Sequence, residues 1–184
     1  INTSLLSLLI KNNVRSLFYK NAHVPLHKII QMTNQFFIQK KLTSTNLITG
    51  VLLRIANNRI EYVNAGHADI LHQSGKTGKI RVVTINDKNI KGNPIGLKEC
   101  TASYTSIAFT MNPKDIVFVY TKALTESMNK NGERYGTRRV IHSLSECTSE
   151  SLEKKLKKLE KDLYEFCKTD TFKKDVTMIM IQKK

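Results

Sequence analysis

The chain has 184 residues, of which 40% are hydrophobic and 24% charged, and this suits one globular domain and excludes a disordered or fibrous protein. No apolar run is long enough to form a membrane-spanning helix. The net charge of +15 is compatible with nucleic acid, an anionic membrane or an acidic partner. However, the chain is rich in lysine, lacks tryptophan and has no basic cluster interleaved with aromatic residues, which favours a solvated surface over nucleic-acid binding.

The N-terminal part is predicted to form two helices. Apolar residues between positions 2 and 19 recur at helical spacing, and Pro25 suits the first turn of a second helix that extends to about Lys41. The apolar stripe of this second helix is Leu26, Ile29, Ile30, Met32, Phe36, Phe37 and Leu42.

The middle of the chain is predicted to form strands. Leu47 to Ala56 and Arg59 to Asn64 read as a hairpin around the turn Asn57-Asn58. Further strands are expected at 70–73, 79–85 and 101–110, with a loop at 86–97. The run Ile116 to Tyr120 is unbroken, β-branched and aromatic, which is typical of a strand buried on both faces.

The last quarter is predicted to be mainly helical. A short helix is expected at 138–145, and Thr148 or Ser149 is predicted to cap a longer helix with a lysine-rich outer face. The apolar stripe of that helix is Leu152, Leu156, Leu159, Leu163 and Phe166, and a final strand is expected from Asp175 to Ile181. The order of elements indicates a layered α/β (α+β) protein, and we expect a single domain over residues 1–184.

Several short motifs occur along the chain in a fixed order. They are Tyr62-Val63-Asn64-Ala65-Gly66-His67, Pro94-Ile95-Gly96-Leu97, the stretch from Asp115 to Glu126, the stretch from Asn129 to Gly136, and Asp175-Val176-Thr177-Met178-Ile179. This set resembles the motifs of the SpoIIE/RsbU-type serine phosphatases, bacterial members of the metal-dependent, protein phosphatase 2C-like class. The resemblance implies an α-β-β-α sandwich of two antiparallel sheets flanked by helices, with Asn64, Gly66, His67, Pro94 and Gly96 as structural motif residues.

The resemblance also implies a site for manganese or magnesium, and this sequence departs from the family at that site. The family's metal-binding Asp of the Y-T-D-G motif is Lys122 here, and the first Asp of its D-D-h-T motif is Lys174. Only the neighbouring Asp175 is retained. A charged lysine has no lone pair with which to ligate a cation, so we expect no metal cofactor and no intact catalytic site.

A third metal-binding Asp of the family comes from a G-D-x-x-G-H-G motif. Because the chain begins with Ile1 and not Met, we expect an N-terminally truncated piece of a longer signalling protein, with this motif upstream. Asp87, Asp115 and Asp162 do not fall at the family's ligand positions and are not expected to replace the missing carboxylates.

Two roles for Lys122 and Lys174 remain open. With Asp175 between them, they could form a Lys–Asp–Lys cluster that replaces the metals only structurally. Alternatively, their positive charges could form an anion site that recognises a phosphorylated partner without hydrolysing it. His67 is expected to be a structural turn residue, and Glu126 a helix or ion-pair residue.

The sequence therefore predicts an inactive, phosphatase-like regulatory or binding domain, a pseudophosphatase, in a bacterial signalling pathway. One alternative is an active metal-dependent serine/threonine phosphatase that acts on a phosphorylated anti-sigma-factor antagonist. A second alternative is a basic module that binds nucleic acid or a membrane. Cys100, Cys147 and Cys167 form no C-x-x-C pair, so we expect free thiols in the cytoplasm and no zinc site.

Overall fold

The structure is a computed structural model that describes residues 3–42, 47–84, 91–97, 103–168, 172 and 174–184. Its elements, in chain order, are α1 (Thr3–Lys20), α2 (Leu26–Gln39), β1 (Gly50–Ala56), β2 (Arg59–Ala65), β3 (Leu71–Gln73), β4 (Ile80–Val82), β5 (Ser106–Thr110), β6 (Ile116–Tyr120), α3 (Lys122–Glu126), α4 (Gly136–Ser145), α5 (Leu152–Cys167) and β7 (Met178–Gln182). None of the helices described is long and apolar enough to cross a membrane.

The chain divides into two compact units. Unit 1 comprises Ile1–His67 and Thr84–Thr110, and unit 2 comprises Ala68–Val83 and Met111–Lys184. Each unit contains one antiparallel sheet, with strand order β1-β2-β5 in unit 1 and β4-β3-β6-β7 in unit 2. The predicted fold class, two antiparallel sheets flanked by helices, is confirmed, whereas the single domain over residues 1–184 stays a prediction.

Unit 1 is built from the two predicted helices and the predicted hairpin. Its core is formed by the apolar faces of both helices, inner residues of β2 and two residues outside the strands, namely Leu6, Leu26, Ile30, Phe37, Val63, Ala65, Ile95 and Tyr104. The carboxylate of Glu61 on β2 accepts a 2.6 Å hydrogen bond from the backbone N–H of Leu26. A negative group at a helix N-terminus satisfies an otherwise unpaired donor and opposes the helix dipole, so Glu61 ties the sheet to the start of α2.

Unit 2 is organised around β6. This strand lies between β3 and β7, and Ile116, Val117, Phe118 and Tyr120 are buried, as predicted for a strand covered on both faces. The helices pack their apolar stripes on one side of the sheet through Leu124, Val140, Leu144, Leu159 and Leu163. Of the predicted stripe of α5, Leu156, Leu159, Leu163 and Phe166 pack in this core, and that part of the prediction is confirmed.

Lys155 does not follow the prediction that the lysines of α5 face solvent. It is 1% exposed, and its Nζ donates hydrogen bonds to the carbonyl groups of Cys147 and Thr148. These carbonyls follow the end of α4, where the helix dipole favours a cation. Burial lowers the pKa of Lys155, although the nearby Cys147 opposes this shift.

Several predicted boundaries were wrong for identifiable reasons. β1 begins at Gly50 and not Leu47, because Ile48 instead exchanges backbone hydrogen bonds with Ile95. The cap of α5 is Ser151, whose hydroxyl accepts from the N–H of Lys154, and not Thr148 or Ser149. β4 and β5 are shorter than predicted, with 85–90 and 98–102 outside the described residues.

Candidate functional site

The end of β6 and the segment before β7 are joined by Thr121. The N–H of Thr121 donates to the carbonyl of Thr177 at 3.0 Å. Its hydroxyl accepts from the N–H of Thr177 at 3.0 Å and donates to the carbonyl of Asp175 at 3.3 Å. Because the Thr121 side chain occupies the N–H of Thr177, regular pairing begins only at Met178, and the predicted start of the last strand at Asp175 was wrong.

This connection brings both lysine-substituted positions to one end of the sheet. Lys122 directly follows Thr121 and begins α3, while Lys174 directly precedes Asp175, whose carbonyl accepts from Thr121. The antiparallel pairing of β6 and β7 therefore brings Lys122 and Lys174 to the same end of the sheet, although they are far apart in the sequence.

Lys174 pairs with Glu126 in this structure. Its Nζ lies 3.4 Å from Glu126 Oε2, and the two side chains are 72% and 40% exposed. The sequence predicts Asp175 as the carboxylate of such a cluster, but Asp175 is exposed and contributes its backbone carbonyl to Thr121. Glu126 lies one helical turn after Lys122 on α3, so the charges at this end of the sheet alternate in sign.

The residues at this end of the sheet do not fit a divalent metal. Manganese and magnesium need several oxygen ligands, whereas Lys122 and Lys174 carry only donors when charged. Across the described residues, no group of three or more His, Cys, Asp or Glu side chains could hold a metal ion. No catalytic step through a metal is therefore derived for this chain.

Asp115 and Asp162 have structural partners of their own. Asp115 precedes β6 and Lys122 follows it, so they lie roughly 20 Å apart along the strand at about 3.3 Å per residue. Asp162 binds Lys158 Nζ at 2.9 Å on the surface of α5. Asp115 is therefore too far from Lys122 to replace a metal ligand there, Asp162 is paired with a lysine, and Asp87 lies outside the described residues.

Asp115 is a buried carboxylate of unit 2 with three binding partners. It is 1% exposed, its Oδ1 accepts from the N–H of Gly75 at 2.7 Å, and its Oδ2 accepts from the N–H of Asn112 at 2.9 Å. Oδ2 also lies 3.0 Å from Nε2 of His72 on β3. Burial alone would raise the pKa of Asp115, but these hydrogen bonds and the charge interaction with His72 outweigh it and lower the pKa.

The Y-x-N-A-G-H motif forms a closed turn in unit 1. Asn64 Oδ1 accepts from the N–H of His67 at 2.8 Å, and its amide group donates to the hydroxyl of Tyr62 at 2.9 Å. Gly66 has a positive φ of 72°, and a Cβ there would lie 2.9 Å from Pro94. The turn brings together the motif residues Asn64, Gly66, His67 and Pro94. The backbone N–H of His67 closes the turn.

Gly96 is held by a residue that the sequence analysis did not single out. Asn34 on α2 is 6% exposed, and its Oδ1 accepts from the N–H of Gly96 at 2.7 Å. The available signal was its position, because Asn34 is a polar residue on the largely apolar face of α2. A buried amide of this kind needs a partner, and the loop containing Pro94 and Gly96 provides it.

The motif from Asn129 to Gly136 also forms a self-contained loop. Asn129 Oδ1 accepts from the N–H groups of Asn131 and Glu133, both at 3.0 Å, and its amide group donates to Glu133 Oε2 at 2.9 Å. Tyr135 at its end is buried. These hydrogen bonds hold the motif in a turn that precedes α4.

The two cysteines that the structure describes are buried and form no disulfide. Burial raises the pKa of the thiols of Cys147 and Cys167, so both are poor nucleophiles and poor metal ligands. Cys100 lies outside the described residues.

Comparison with known families gives one match over the whole chain. The family described as Stage II sporulation protein E (SpoIIE) matches residues 1–184. A comparison with curated protein sequences gives no match.

Solved structures of low sequence identity share the fold. The SiaA-PP2C domain of Pseudomonas aeruginosa is 14% identical, with a TM-score of 0.79 over 98% of this chain and 69% of that chain. The RsbU and RsbW domains of a Mycobacterium tuberculosis protein are 18% identical, with a TM-score of 0.69 over 95% of this chain and 46% of theirs. The phosphatase domain of SpoIIE from Bacillus subtilis, presoaked with Mn, is 13% identical, with a TM-score of 0.61 over 100% of this chain and 73% of that chain.

Proposed function

The chain belongs to the SpoIIE family of protein phosphatase 2C-like domains, and we propose that within this family it is an inactive, phosphatase-like binding domain in a bacterial signalling pathway. The observation that carries this proposal is the pair of lysines at one end of β6 and β7. Lys122 and Lys174 occupy the positions at which the motifs of the family have metal-binding aspartates, and neither can ligate a cation.

The charge change supports the same conclusion. Each replacement exchanges a negative side chain for a positive one, so the site lacks the net negative charge that attracts a divalent cation. Without a metal, no group at this site activates a water molecule or neutralises the charge that develops on phosphoryl oxygens. Binding of a partner needs neither of these functions and is therefore the activity that this chain retains.

The ion pair of Lys174 with Glu126 favours a structural role for the lysines. A bound metal would link the segments that its ligands come from, and the pair of Lys174 and Glu126 likewise links the segment before β7 to α3. Because Glu126 and Asp175 offset the two lysines, the site has no large excess of positive charge. We therefore favour a structural role for the two lysines, in place of the metals, over recognition of a phosphate group.

The partner that we propose is a signalling protein of the class that the family resemblance implies, a phosphorylated anti-sigma-factor antagonist. Binding of a phosphoserine peptide and of its unmodified form should be measured for the wild type and for the Lys122→Ala, Lys174→Ala double variant. Equal affinity in all four combinations would leave the lysines with a structural role only. Preference for the phosphopeptide that is lost in the double variant would assign them to phosphate recognition.

The experiment that tests inactivity is phosphate release from an aryl phosphate and from a phosphoserine peptide with manganese added. We expect no turnover above the rate without protein, and none for Lys122→Asp, Lys174→Asp, because the G-D-x-x-G-H-G motif is absent from these 184 residues. Manganese-dependent turnover by the wild type that disappears in Asp175→Asn would favour the active phosphatase instead.

A further inference from the structure

The outer face of α1 is both basic and apolar. We define it by five exposed residues that follow one another three or four positions apart and so share one side of the helix: Leu5, Leu8, Lys11, Arg15 and Tyr19. Leu5, Leu8 and Tyr19 are 50%, 52% and 71% exposed. Single exposed apolar residues are common, but three on one face of one helix indicate a contact surface.

This face belongs to a helix that is fixed in place. The opposite side of α1 packs Leu6, Leu9 and Ile10 into the core of unit 1 together with Leu26 of α2. On the outer face, the guanidinium of Arg15 lies 5.6 Å from the centre of the Tyr19 ring, a cation–π contact that keeps the charge beside the aromatic ring. The basic and apolar groups are therefore held side by side by the fold.

Among charged side chains, the sequence that contains α1 carries only positive ones. The first 60 residues contain eight lysines and arginines and no aspartate or glutamate. The first carboxylate in the chain, Glu61, is already paired with Arg54 at 3.0 Å. No neighbour in the sequence therefore offsets Lys11 and Arg15, and their field attracts a negatively charged surface.

We propose that the outer face of α1 docks unit 1 on an anionic membrane surface. Lysine and arginine attract lipid phosphates, leucine side chains enter the boundary between headgroups and acyl chains, and tyrosine is favoured at that boundary. The contact is peripheral, and it is independent of the function proposed for the Lys122 and Lys174 site.

Other occupants fit these features less well. The five residues extend over about 21 Å of helix, a narrow strip that offers much less than the roughly 800 Å² per partner of a stable protein interface. A second copy of the chain would place Lys11 and Arg15 close to their own symmetry mates, so like charges would meet. Nucleic acid would use the basic residues but would leave the exposed leucines without a favourable environment.

The test is co-sedimentation of the 184-residue chain with vesicles of phosphatidylcholine alone or mixed with phosphatidylglycerol. We expect binding to the anionic vesicles only, and weaker binding at high salt. The variant Lys11→Glu, Arg15→Glu should lower the partition coefficient at least about tenfold. Leu8→Ser, Tyr19→Ser should also lower it, because the exposed apolar groups are removed while the charge is unchanged.

The matched control is Lys76→Glu, Lys79→Glu, which makes the same charge change on an exposed turn of unit 2. It should leave the partition coefficient within about twofold of the wild type, and circular dichroism should show that every variant is folded. Equal binding to neutral and anionic vesicles, no binding to either, or an equal loss in the control would overturn the proposal. Tighter binding to duplex DNA that Leu8→Ser, Tyr19→Ser does not weaken would overturn it in favour of nucleic acid.

Discussion

Lys174 Nζ lies 3.4 Å from Glu126 Oε2, so an ion pair joins the segment before β7 to the end of α3. This pair lies beside Thr121, which binds the backbone of Asp175 and Thr177. In our account, hydrogen bonds and this ion pair hold together segments that metal ions would otherwise link.

The ion pair itself should contribute little energy. Both side chains are substantially exposed, so a double-mutant cycle of Lys174→Ala and Glu126→Ala should give a coupling of about 0.2–1 kcal/mol in the free energy of unfolding. Added salt should reduce this coupling. The exposed pair of Lys161 and Glu165 on α5 provides a control cycle, for which we expect a coupling of similar size. Zero coupling between Lys174 and Glu126 at low salt would show that their ion pair does not hold the two segments together.

Asp115 should be far more important for stability than the carboxylates of the surface. Asp115→Asn keeps the shape but removes the charge that three donors bind, and it should cost about 2–4 kcal/mol in the free energy of unfolding near pH 7. Asp162→Asn is the control, since that side chain is 24% exposed and bound to one lysine, and it should cost less than about 1 kcal/mol. Denaturant titration measures both, and similar losses would contradict the special role of Asp115.

The same residue predicts an acid-sensitive contribution to folding. The pKa of Asp115 is lowered from its ordinary value of 3.8 in the folded state. The stabilisation is therefore present above the unfolded pKa and is lost as the pH falls through the folded pKa. The stability difference between the wild type and Asp115→Asn should shrink as the pH falls below about pH 4. A stability difference that did not shrink below about pH 4 would rule out the Asp115 carboxylate as its source.

Gly66→Ala should destabilise unit 1 through a steric contact and not only through its backbone angle. A Cβ at Gly66 would lie 2.9 Å from Pro94, whereas one at Gly132, which has a similar positive φ of 78°, would meet nothing within 4 Å. Gly132→Ala should cost about 1 kcal/mol for the angle alone, and Gly66→Ala clearly more. Equal losses in thermal or denaturant unfolding would show that the contact with Pro94 is unimportant.

Much of the fold could be predicted because periodicity and turn residues report it directly. The hairpin around Asn57-Asn58 and the buried strand Ile116–Tyr120 were identified from local patterns alone. The buried Lys155 could not be, because a lysine on a lysine-rich helix gives no sign that its amino group will bind two carbonyl groups of the preceding loop. Local patterns do not show which side chains bind groups on other elements, and these partners were not predicted.

The candidate site shows the same division. The motifs identified Lys122 and Lys174, and antiparallel pairing of β6 and β7 brings their segments to one end of the sheet. The choice of Glu126 over Asp175 as the partner of Lys174 depends on how α3 begins directly after Thr121, and this is a property of the folded chain. Asn34, which binds Gly96 from another element, was missed for a similar reason.

Calorimetric titration of the 184-residue chain with manganese tests most directly the claim that this site has lost its metals. We expect no saturable heat up to about millimolar metal, because lysines stand at the two proposed ligand positions and the described residues contain no group of three or more His, Cys, Asp or Glu side chains that could hold a metal ion. A saturable transition with a micromolar dissociation constant, abolished by Asp175→Asn or Glu126→Gln, would contradict it.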